Sequence, residues 1–409
     1  MNKKSNTFDI VIVGAGIIGA AQALLLAKRL PQIRIAIIDQ ARQTSFPEKL
    51  NLRATALGQQ AKTILEECGV WQQLPNECIC VYNKMVVVDE QSQGELTFDS
   101  AELDALTLGH IVDHFALQAL LQKAMADHSC IIEYYECTIS DVFSPEKTSI
   151  TSATPTESIN KASDQLVKVV LSDGMQLCSQ LLVAADGVNS QLRKIAKIDV
   201  RSATYDQSGI VAVIGTEREH QNTAWQRFLE TGPLAFLPLN NGDSSIVWSV
   251  NNADVNELST ADENTFCQRL QAATQGHFGQ LTLKSSRHVF PLSSQRALQY
   301  YNNKVVLIGD AAHGIHPLAG QGANLGFADV ALLAEQLVEF PEHLSHSALR
   351  RYERQRKANN YAVDTAMTLI QKGFAKSTTC VSLLRGLGMN MLNQNKSLQR
   401  LLFGLASRR

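Results

Sequence analysis

The sequence predicts an α/β fold in which a domain built on a parallel sheet is interrupted by a mainly antiparallel sheet and followed by C-terminal helices. Three observations predict it: a strand-turn-helix-strand unit at 8–39, two later apolar strands that end in acidic, glycine-containing turns, and alternating apolar residues within 201–284. With 409 residues, 45% of them apolar, the chain is long enough to bury two cores.

The N-terminal unit has the pattern of a Rossmann-like dinucleotide site. Its elements are a strand at 8–13, the turn Gly14-Ala15-Gly16-Ile17-Ile18-Gly19, a helix at 20–30 and a strand at 34–39. Gly14 permits the tight turn, Gly16 lets a pyrophosphate approach, and Gly19 lets the helix pack on the strand. Asp39, twenty residues after Gly19, is placed to bind the adenosine ribose. The alternatives are a signal peptide after Lys3-Lys4, or glycines that only form a turn.

Two further strand ends carry acidic residues. The strand at 180–185 leads into Asp186-Gly187, and the strand at 304–308 leads into Gly309-Asp310. A glycine-rich run, 316–326, follows, and a helix is expected from Asn324 or Gly326 to about 340. A helix N-terminus favours negative charge, so we expect these elements to converge on one extended cofactor.

Composition excludes several other functions. The net charge is −2 and the basic residues form no aromatic-studded stripe, so nucleic acid is not expected as a partner. The eight cysteines lack CxxC spacing, and no HExxH or Gly-x-Ser-x-Gly motif occurs, so neither a metal site nor a serine nucleophile is expected. Reduced thiols predict a cytoplasmic protein. The hard chemistry must then belong to a cofactor.

These motifs carry a family resemblance. Gly14-x-Gly16-x-x-Gly19, Asp186-Gly187 and Gly309-Asp310 resemble the three fingerprints of the single-component flavoprotein aromatic hydroxylases, which include p-hydroxybenzoate hydroxylase. Residues 316–329 resemble the signature of the ubiquinone-biosynthesis hydroxylase branch, and the resemblance covers essentially the whole chain. It implies a p-hydroxybenzoate-hydroxylase-like fold, with a Rossmann-like FAD-binding domain and an inserted antiparallel-sheet substrate domain.

The resemblance implies an FAD-dependent aromatic-ring monooxygenase. Its substrates would be O2 and a polyprenyl phenol intermediate of ubiquinone biosynthesis, with NAD(P)H as a transient electron donor because no second GxGxxG motif occurs. One alternative is another flavin enzyme, such as an oxidase, a halogenase or a hydroxylase of another small phenol; the halogenase Trp-x-Trp pattern is absent. A second alternative is a non-catalytic scaffold in a quinone-synthesis complex.

The resemblance also implies roles for individual residues. Asp310 would bind the ribityl chain, Arg53 would sit near the flavin ring, and Gln118 would contact the cofactor, although Phe115 stands where the family often has an arginine. The expected flavin-ring environment is Pro317, Gly320, Gln321 and Gly322. The expected cofactor-binding residues are Gly14, Gly16, Gly19, Asp39, Arg53, Gln118, Asp186, Gly187, Gly309, Asp310, Gly322, Ala323 and Asn324.

For Arg53, His313 and His316, a structural role is the alternative to a functional one. Arg53 could form a surface salt bridge at a helix entry instead of lying beside the flavin. His313 and His316 could act as acids or bases, but a histidine in a tight loop after a strand more often fixes the turn by bonding to the backbone. We therefore assign neither histidine a catalytic role.

The domain organisation follows from these anchors. We expect an FAD-binding domain at 1–75, 105–200 and 285–340, a substrate domain at 76–104 and 201–284, and C-terminal helices at 341–409. Residues 144–163, rich in Ser and Thr, predict a surface insertion. The last 45 residues contain seven basic and no acidic residues among helically spaced leucines. This tail could contact an anionic lipid surface at the inner face of the membrane or a partner protein, or pack on the core; a homo-oligomer is also left open.

Overall fold

The computed structural model describes residues 6–47, 53–92, 94–143, 166–314, 321–339, 346–374 and 379–407. The surface insertion predicted at 144–163 lies outside these residues. Within them, no helix combines the length and the apolar character that a bilayer crossing requires.

Strands and helices are mixed along the chain, and several runs of consecutive strands separate the helices. The helices are α1 (Ile17–Arg29), α2 (Gln59–Glu67), α3 (His114–Ala126), α4 (Gln191–Ile195), α5 (Asn252–Thr260), α6 (Glu263–Ala273), α7 (Gln321–Glu339), α8 (His346–Phe374), α9 (Thr379–Gln394) and α10 (Lys396–Ser407). The strands are β1 (Thr7–Val13), β2 (Ile35–Ile38), β3 (Ala54–Leu57), β4 (Ile79–Tyr82), β5 (Lys84–Asp89), β6 (Glu95–Asp99), β7 (Gly109–Asp113), β8 (Ile131–Tyr134), β9 (Ile139–Phe143), β10 (Val167–Leu171), β11 (Gln176–Ala184), β12 (Val200–Thr216), β13 (Thr223–Leu229), β14 (Gly232–Pro238), β15 (Ser244–Asn251), β16 (Leu281–Leu283), β17 (His288–Ala297), β18 (Tyr301–Asn302), β19 (Val305–Leu307) and β20 (His313–Gly314).

The first sheet has a parallel centre. Its strand order is β18-β19-β11-β1-β2-β8, and β10 and β9 extend β11 in antiparallel fashion. Strands β19, β11, β1, β2 and β8 run in parallel, and most of their side chains are buried in one core together with residues of α1, α3 and α7. This arrangement confirms the predicted α/β fold class.

The N-terminal strand and helix form as the glycine pattern predicts. Gly14 has φ +104°, and a Cβ atom there would lie 2.3 Å from the Ala185 carbonyl oxygen. A Cβ on Gly19 would lie 1.9 Å from the Gly14 carbonyl oxygen, so both positions admit only glycine. A Cβ on Gly16 would meet nothing within 4 Å. Helix α1 begins at Ile17, three residues earlier than predicted, because Gly16 already serves as its N-cap.

The second sheet has nine strands in the order β20-β17-β12-β15-β14-β13-β5-β6, with β16 beside β12. All pairs are antiparallel except β13 with β5, which agrees with the mainly antiparallel sheet expected from the alternating residues. One side, here called the helix-covered face, buries Trp225, Phe236 and Trp248 beneath α5 and α6. The other side, the cleft face, carries the alternate residues, such as Gln226 and Leu237.

A three-stranded sheet, β3-β7-β4, joins the two large sheets. Leu237 of the cleft face packs against its residues Ala56, Cys80 and Ile111, and Ala54 lies beside them. The cleft face is therefore turned towards the chain segment that contains Arg53.

The domain division stays a proposal. Strand β17 lies within the range assigned to the FAD-binding domain but pairs in the nine-stranded sheet, and β4 lies within the substrate range but pairs with β7. Hydrogen bonding crosses the proposed boundaries at these two strands.

The two glycines of the first turn should respond oppositely to a methyl group. Gly19→Ala should lower the free energy of unfolding by about 3 kcal/mol, because the clash involves backbone that cannot move aside. Gly16→Ala should leave it almost unchanged, since its Cβ enters open space and its φ of −68° suits alanine. Urea unfolding of both variants measures this. Equal stability of the two would contradict the packing described here.

Candidate cofactor site

The site lies at the carboxyl edge of the parallel sheet. Val13 of β1 pairs with Ile38 of β2 and with Ala184 of β11, and Ala184 pairs with Leu307 of β19. The residues that follow these strand ends are the Gly14 turn, Asp39, Asp186 and Gly309-Asp310. Parallel strands end at a common edge, so the three fingerprints and Asp39 are brought to one cleft.

Two helix N-termini are directed at this edge. Helix α1 starts directly after Gly16, and α7 starts at Gln321. The prediction that α7 begins at Asn324 or Gly326 was wrong, because the helix already includes Gln321, Gly322 and Ala323. The first backbone N–H groups of a helix lack intrahelical partners and attract negative charge. A Cβ on Gly322 would meet nothing within 4 Å, so this turn is open to a ligand.

Asp39 and Gln122 shape the first turn. One Asp39 carboxylate oxygen accepts from the Ala15 N–H at 2.6 Å, and the other accepts from the Ala41 N–H at 2.8 Å. The buried Gln122 amide donates to the Ala15 carbonyl and accepts from the Thr44 N–H, both at 2.7 Å. Gln122 was missed in the sequence, although an amide on the otherwise apolar face of α3, four residues after Gln118, was a usable signal.

Asp186 binds the N-terminus of α4, the helix after the second fingerprint, whose N-cap is Ser190. The Oδ2 atom of Asp186 accepts from the N–H groups of Gln191 and Leu192 at 2.7 and 3.1 Å. Its Oδ1 is buried and has no hydrogen-bond partner among the described residues. Arg193, 3% exposed, donates from its guanidinium to the Ala311 and Val188 carbonyls, both at 2.8 Å, and so ties the second fingerprint to the third.

Asp310 and Arg53 face the open cleft together. Both side chains are exposed to the cleft, yet the surrounding protein displaces enough water to raise the pKa of Asp310 and to lower that of Arg53. Their mutual attraction opposes both shifts. The two charges therefore lie within electrostatic reach of each other, and the place of Arg53 beside the flavin ring stays a prediction.

A buried carboxylate holds the third fingerprint. Asp329 of α7, fully buried, accepts from the Gly309 N–H at 2.8 Å, contacts His313 Nε2 at 2.5 Å and pairs with Arg356 of α8. Burial alone would raise the pKa of Asp329, but the charges of His313 and Arg356 hold it below its usual value. His313 thus fixes the turn through a carboxylate, whereas the sequence predicted backbone bonding. His316 lies outside the described residues.

Asn324 connects α7 with the small sheet. Its side-chain oxygen accepts from the Gly58 N–H at 2.8 Å, and its amide donates to the Ala56 carbonyl at 3.0 Å. The amide therefore positions the strand that follows Arg53. A direct contact between Asn324 and the flavin ring stays a prediction.

For the remaining predicted residues that it describes, the structure gives burial or backbone conformation and no side-chain hydrogen bond. Gln118 is half-buried on α3, one helical turn before Gln122. Gly187 has φ +77°, and a Cβ there would meet nothing within 4 Å. Pro317 and Gly320 lie outside the described residues, and of Gln321 the backbone alone is described. Within the described ranges, no group of three His, Cys, Asp or Glu side chains could hold a metal ion.

This geometry, with a glycine turn and acidic residues at the carboxyl edge of a parallel sheet, is the arrangement typical of α/β dinucleotide-binding proteins. The chain matches the family described as "FAD binding domain" over residues 7–366. It is 31% identical to the ubiquinone biosynthesis monooxygenase COQ6, mitochondrial, of Danio rerio, covering 99% of this chain and 90% of that protein. It is also 31% identical to the 3-demethoxyubiquinol 3-hydroxylase of Escherichia coli (strain K12), covering 93% of each. The chain belongs to this FAD-binding family, in the branch of the ubiquinone-biosynthesis hydroxylases.

Solved structures agree on the fold. The P. aeruginosa protein PqsL in complex with 2-aminobenzoylacetate superposes with a TM-score of 0.74 at 22% identity, covering 93% of this chain and all of that one. The p-nitrophenol 4-monooxygenase PnpA of Pseudomonas putida superposes with a TM-score of 0.73 at 15% identity, covering 98% of this chain and 99% of that one. At these identities the superpositions establish the fold alone.

Two histidines beside the site should make stability depend on pH. Burial, reinforced by Arg53, lowers the pKa of His114 to about 3, and burial, reinforced by Lys62, lowers that of His110 to about 4. The unfolded chain takes up these protons below about pH 6.5, so their contribution to stability is complete above that pH and is lost as the pH falls towards 4. Each should cost about 2 kcal/mol at pH 5.

Urea unfolding at pH 7.5 and pH 5.0 tests this. His114→Asn should lose less stability between the two pH values than the wild-type chain. His346→Asn, at an exposed position, is the matched control and should behave like wild type. The same pH dependence in both variants would contradict the assignment.

Proposed function

We propose that this protein is an FAD-dependent aromatic-ring monooxygenase that hydroxylates a polyprenyl phenol in ubiquinone biosynthesis. The overall reaction is ring C–H plus O2, NAD(P)H and a proton giving ring C–OH, water and NAD(P)+. The observation that carries the proposal is the convergence of three fingerprints at one sheet edge in a chain about 30% identical to enzymes named for this pathway.

The cleft fits FAD. Open space at Gly16, beside the N-terminus of α1, suits a pyrophosphate, and the unpartnered buried Oδ1 of Asp186 suits a hydroxyl donor from the cofactor. Asp39 would take the adenosine ribose with the acceptor capacity that its bond to Ala15 leaves, because a carboxylate oxygen has two lone pairs. Asp310 would bind the ribityl hydroxyls, and Gln118 would contact the cofactor from α3.

Bound FAD would supply electron transfer from a transiently bound NAD(P)H and the activation of O2. The protein's part is positioning and polarity. The first N–H groups of α7, from Gln321 to Ala323, would stabilise negative charge on the electron-rich ring, and Arg53 would add a positive charge beside it. Pro317 and Gly320 belong to the same proposed ring environment. Asp329, Asn324 and Arg193 hold these groups in place.

The cleft face of the nine-stranded sheet would receive the aromatic substrate. Its alternate residues Val211, Ala235 and Val247 are apolar and only half-buried, although the opposite face is tightly packed. Half-buried apolar side chains turned towards a polar cofactor cleft suit a phenol with an apolar substituent.

Retention of the cofactor and turnover test the proposal together. The purified protein should be yellow and should oxidise NAD(P)H when a prenylated phenol is added, with an equal amount of hydroxylated product. Gly16→Val should remain folded but weaken FAD binding at least tenfold, because the added side chain fills the open space beside α1. Gly404→Val, at a similarly open glycine on α10, should bind FAD normally.

The pathway is tested in cells. A cell that lacks this protein should accumulate a quinone precursor missing one ring hydroxyl. Colourless protein that still supports quinone synthesis would favour the scaffold and overturn the enzymatic proposal.

We further propose that the C-terminal tail contacts a membrane surface or a quinone-synthesis complex, which would bring a lipid-tailed substrate to a peripheral enzyme. Leu387, Met391 and Leu401 are each at least 58% exposed on α9 and α10. Two tail cations are occupied, since Lys396 pairs with Glu102 and Arg400 with Asp104. The contact would therefore rely on apolar side chains more than on these charges. A homo-oligomer through the same side chains is the other arrangement consistent with this exposure.

Co-sedimentation with anionic liposomes tests the lipid contact. Leu387→Glu combined with Met391→Glu should reduce the bound fraction several-fold, because each substitution removes apolar area and adds negative charge. Val289→Glu, at an exposed apolar residue of β17, is the control and should bind as wild type does. Unchanged binding of the double variant would remove the tail from the proposal. Sedimentation velocity without lipid reads out self-association.

A further inference from the structure

The nine-stranded sheet has two faces, the helix-covered face and the cleft face, and its outer strands β5 and β13 contribute residues to both. Val86 and Val88 of β5 join Trp225 and Leu229 of β13 in the core of the helix-covered face. Because neighbouring residues of a strand point to opposite faces, Asp89 lies on the cleft face. Phe228 pairs with Asp89, and Gln226 pairs with Val87, so both lie there too.

The C-terminal helix pair, α9 and α10, docks on this cleft face at the outer strands. Arg385 of α9 donates from its Nε to Asp89 at 2.7 Å, and the two side chains are only 9% and 1% exposed. Asp89 also accepts from the Ser92 N–H, and Gln91 accepts a second bond from the Arg385 guanidinium. An ion pair with so little exposure is costly to break, since the remaining charge would stay buried.

Close backbone approach supports the same docking. A Cβ on Gly94, which faces Asp89 across the β5–β6 hairpin, would lie 3.0 Å from the Gly386 Cα atom. A Cβ on Gly386 would lie 2.9 Å from the Ser92 Cβ atom. Helix α9 therefore rests directly on the hairpin, without room for a side chain at either glycine.

The helix pair also covers the free edge of the sheet. The Thr97 N–H of edge strand β6 donates to Asn393 at 3.0 Å, and the Thr97 carbonyl accepts from Gln399 at 3.2 Å. Unpaired backbone groups on an edge strand otherwise invite pairing with another chain. These bonds fix α9 and α10 at the end of the sheet opposite β20.

The two ends of the cleft face therefore have different neighbours. At one end, β20 continues from the Asp310 turn and pairs with Gln295 and Arg296 of β17. In the middle, Leu237 packs against the small sheet that follows Arg53. At the other end lies α9, held by Arg385. The half-buried apolar strands β12, β15 and β14 lie between the proposed cofactor cleft and the C-terminal helix pair.

We propose that the C-terminal helix pair is the outer wall of the substrate cavity, and that the Arg385–Asp89 pair is the positioning contact that holds this wall against the apolar substituent of the phenol. The inference rests on the proposed function, because it presupposes an aromatic substrate on the cleft face. It assigns the helix pair a part in substrate selection: phenols with a long apolar substituent gain contacts from the wall, whereas phenols with a short substituent do not reach it.

Steady-state kinetics with two phenols that share one ring tests this, one with a multi-isoprene substituent and one with a methyl group. Arg385→Gln should raise KM for the long-chain phenol about tenfold, equivalent to losing the burial of roughly two methylene groups. KM for the short-chain phenol, kcat for both and FAD content should stay at wild-type values. Arg385→Lys, which keeps the charge, should restore part of the long-chain affinity.

Arg269→Gln is the matched control, because Arg269 forms an exposed pair with Glu257 on the helices of the opposite face. It should leave both KM values unchanged. If Arg385→Gln does not fold, Gly386→Val serves instead, since its side chain pushes α9 away from Ser92 without touching the ion pair.

Three outcomes separate the proposals. The first outcome applies to a variant in which α9 becomes sensitive to protease. If KM then changes equally for both phenols, or for neither, the proposal that the helix pair is a cavity wall is overturned, while the hydroxylase proposal stands. Wild-type protein that turns over neither phenol would overturn the proposed function, and the wall with it. A change confined to the long-chain phenol supports both.

Discussion

The cofactor site depends on one buried carboxylate, Asp329. It lies on α7, beneath the turn that carries the third fingerprint, and no water reaches it. A buried charge is tolerated only when its oxygens are bonded, and here Gly309, His313 and Arg356 do so. Removing one partner of such a pair typically costs about 3–5 kcal/mol. Because the same carboxylate binds the Gly309 N–H, the backbone next to Asp310 is fixed by the interaction that joins α7 to α8. The bonds of Asp329 therefore hold the third fingerprint in place from the buried side of the turn.

Local patterns in the sequence were enough for much of the fold. The glycine turn could be recognised because its requirements are steric: Gly14 and Gly19 each face a carbonyl oxygen closer than any side chain allows. Strands followed by acidic turns were also recognisable, since parallel strands that end at one edge must present the residues that follow them there. The start of α7 was predicted too late. A helix can include glycine in its first turn when other groups fix that turn, and helix propensities do not report such contacts.

The contacts that the sequence did not predict join distant residues. Asn324 binds Gly58, 266 residues away, Arg356 pairs with Asp329, 27 residues away, and Arg385 pairs with Asp89, 296 residues away. No periodicity connects such partners, because each is brought together by the packing of whole elements. The tail shows the same limit. Its run of cations predicted a basic surface, yet Arg385 and two cations of α10 have acidic partners elsewhere in the fold, which a local count of charges cannot reveal.

The strand order of the parallel sheet has a consequence for synthesis on the ribosome. Strand β1 lies between β2, made almost at once, and β11, made some 165 residues later, and β19 joins after roughly 120 residues more. The nascent chain therefore exposes an apolar sheet edge during most of its elongation. Chaperones that shield such edges matter most in this period. The edge strand β6 stays exposed for longer still, because the side chains that bind its free backbone groups, Asn393 and Gln399, are synthesised near the end of the chain. The last helices to emerge thus protect one of the earlier strands from self-association.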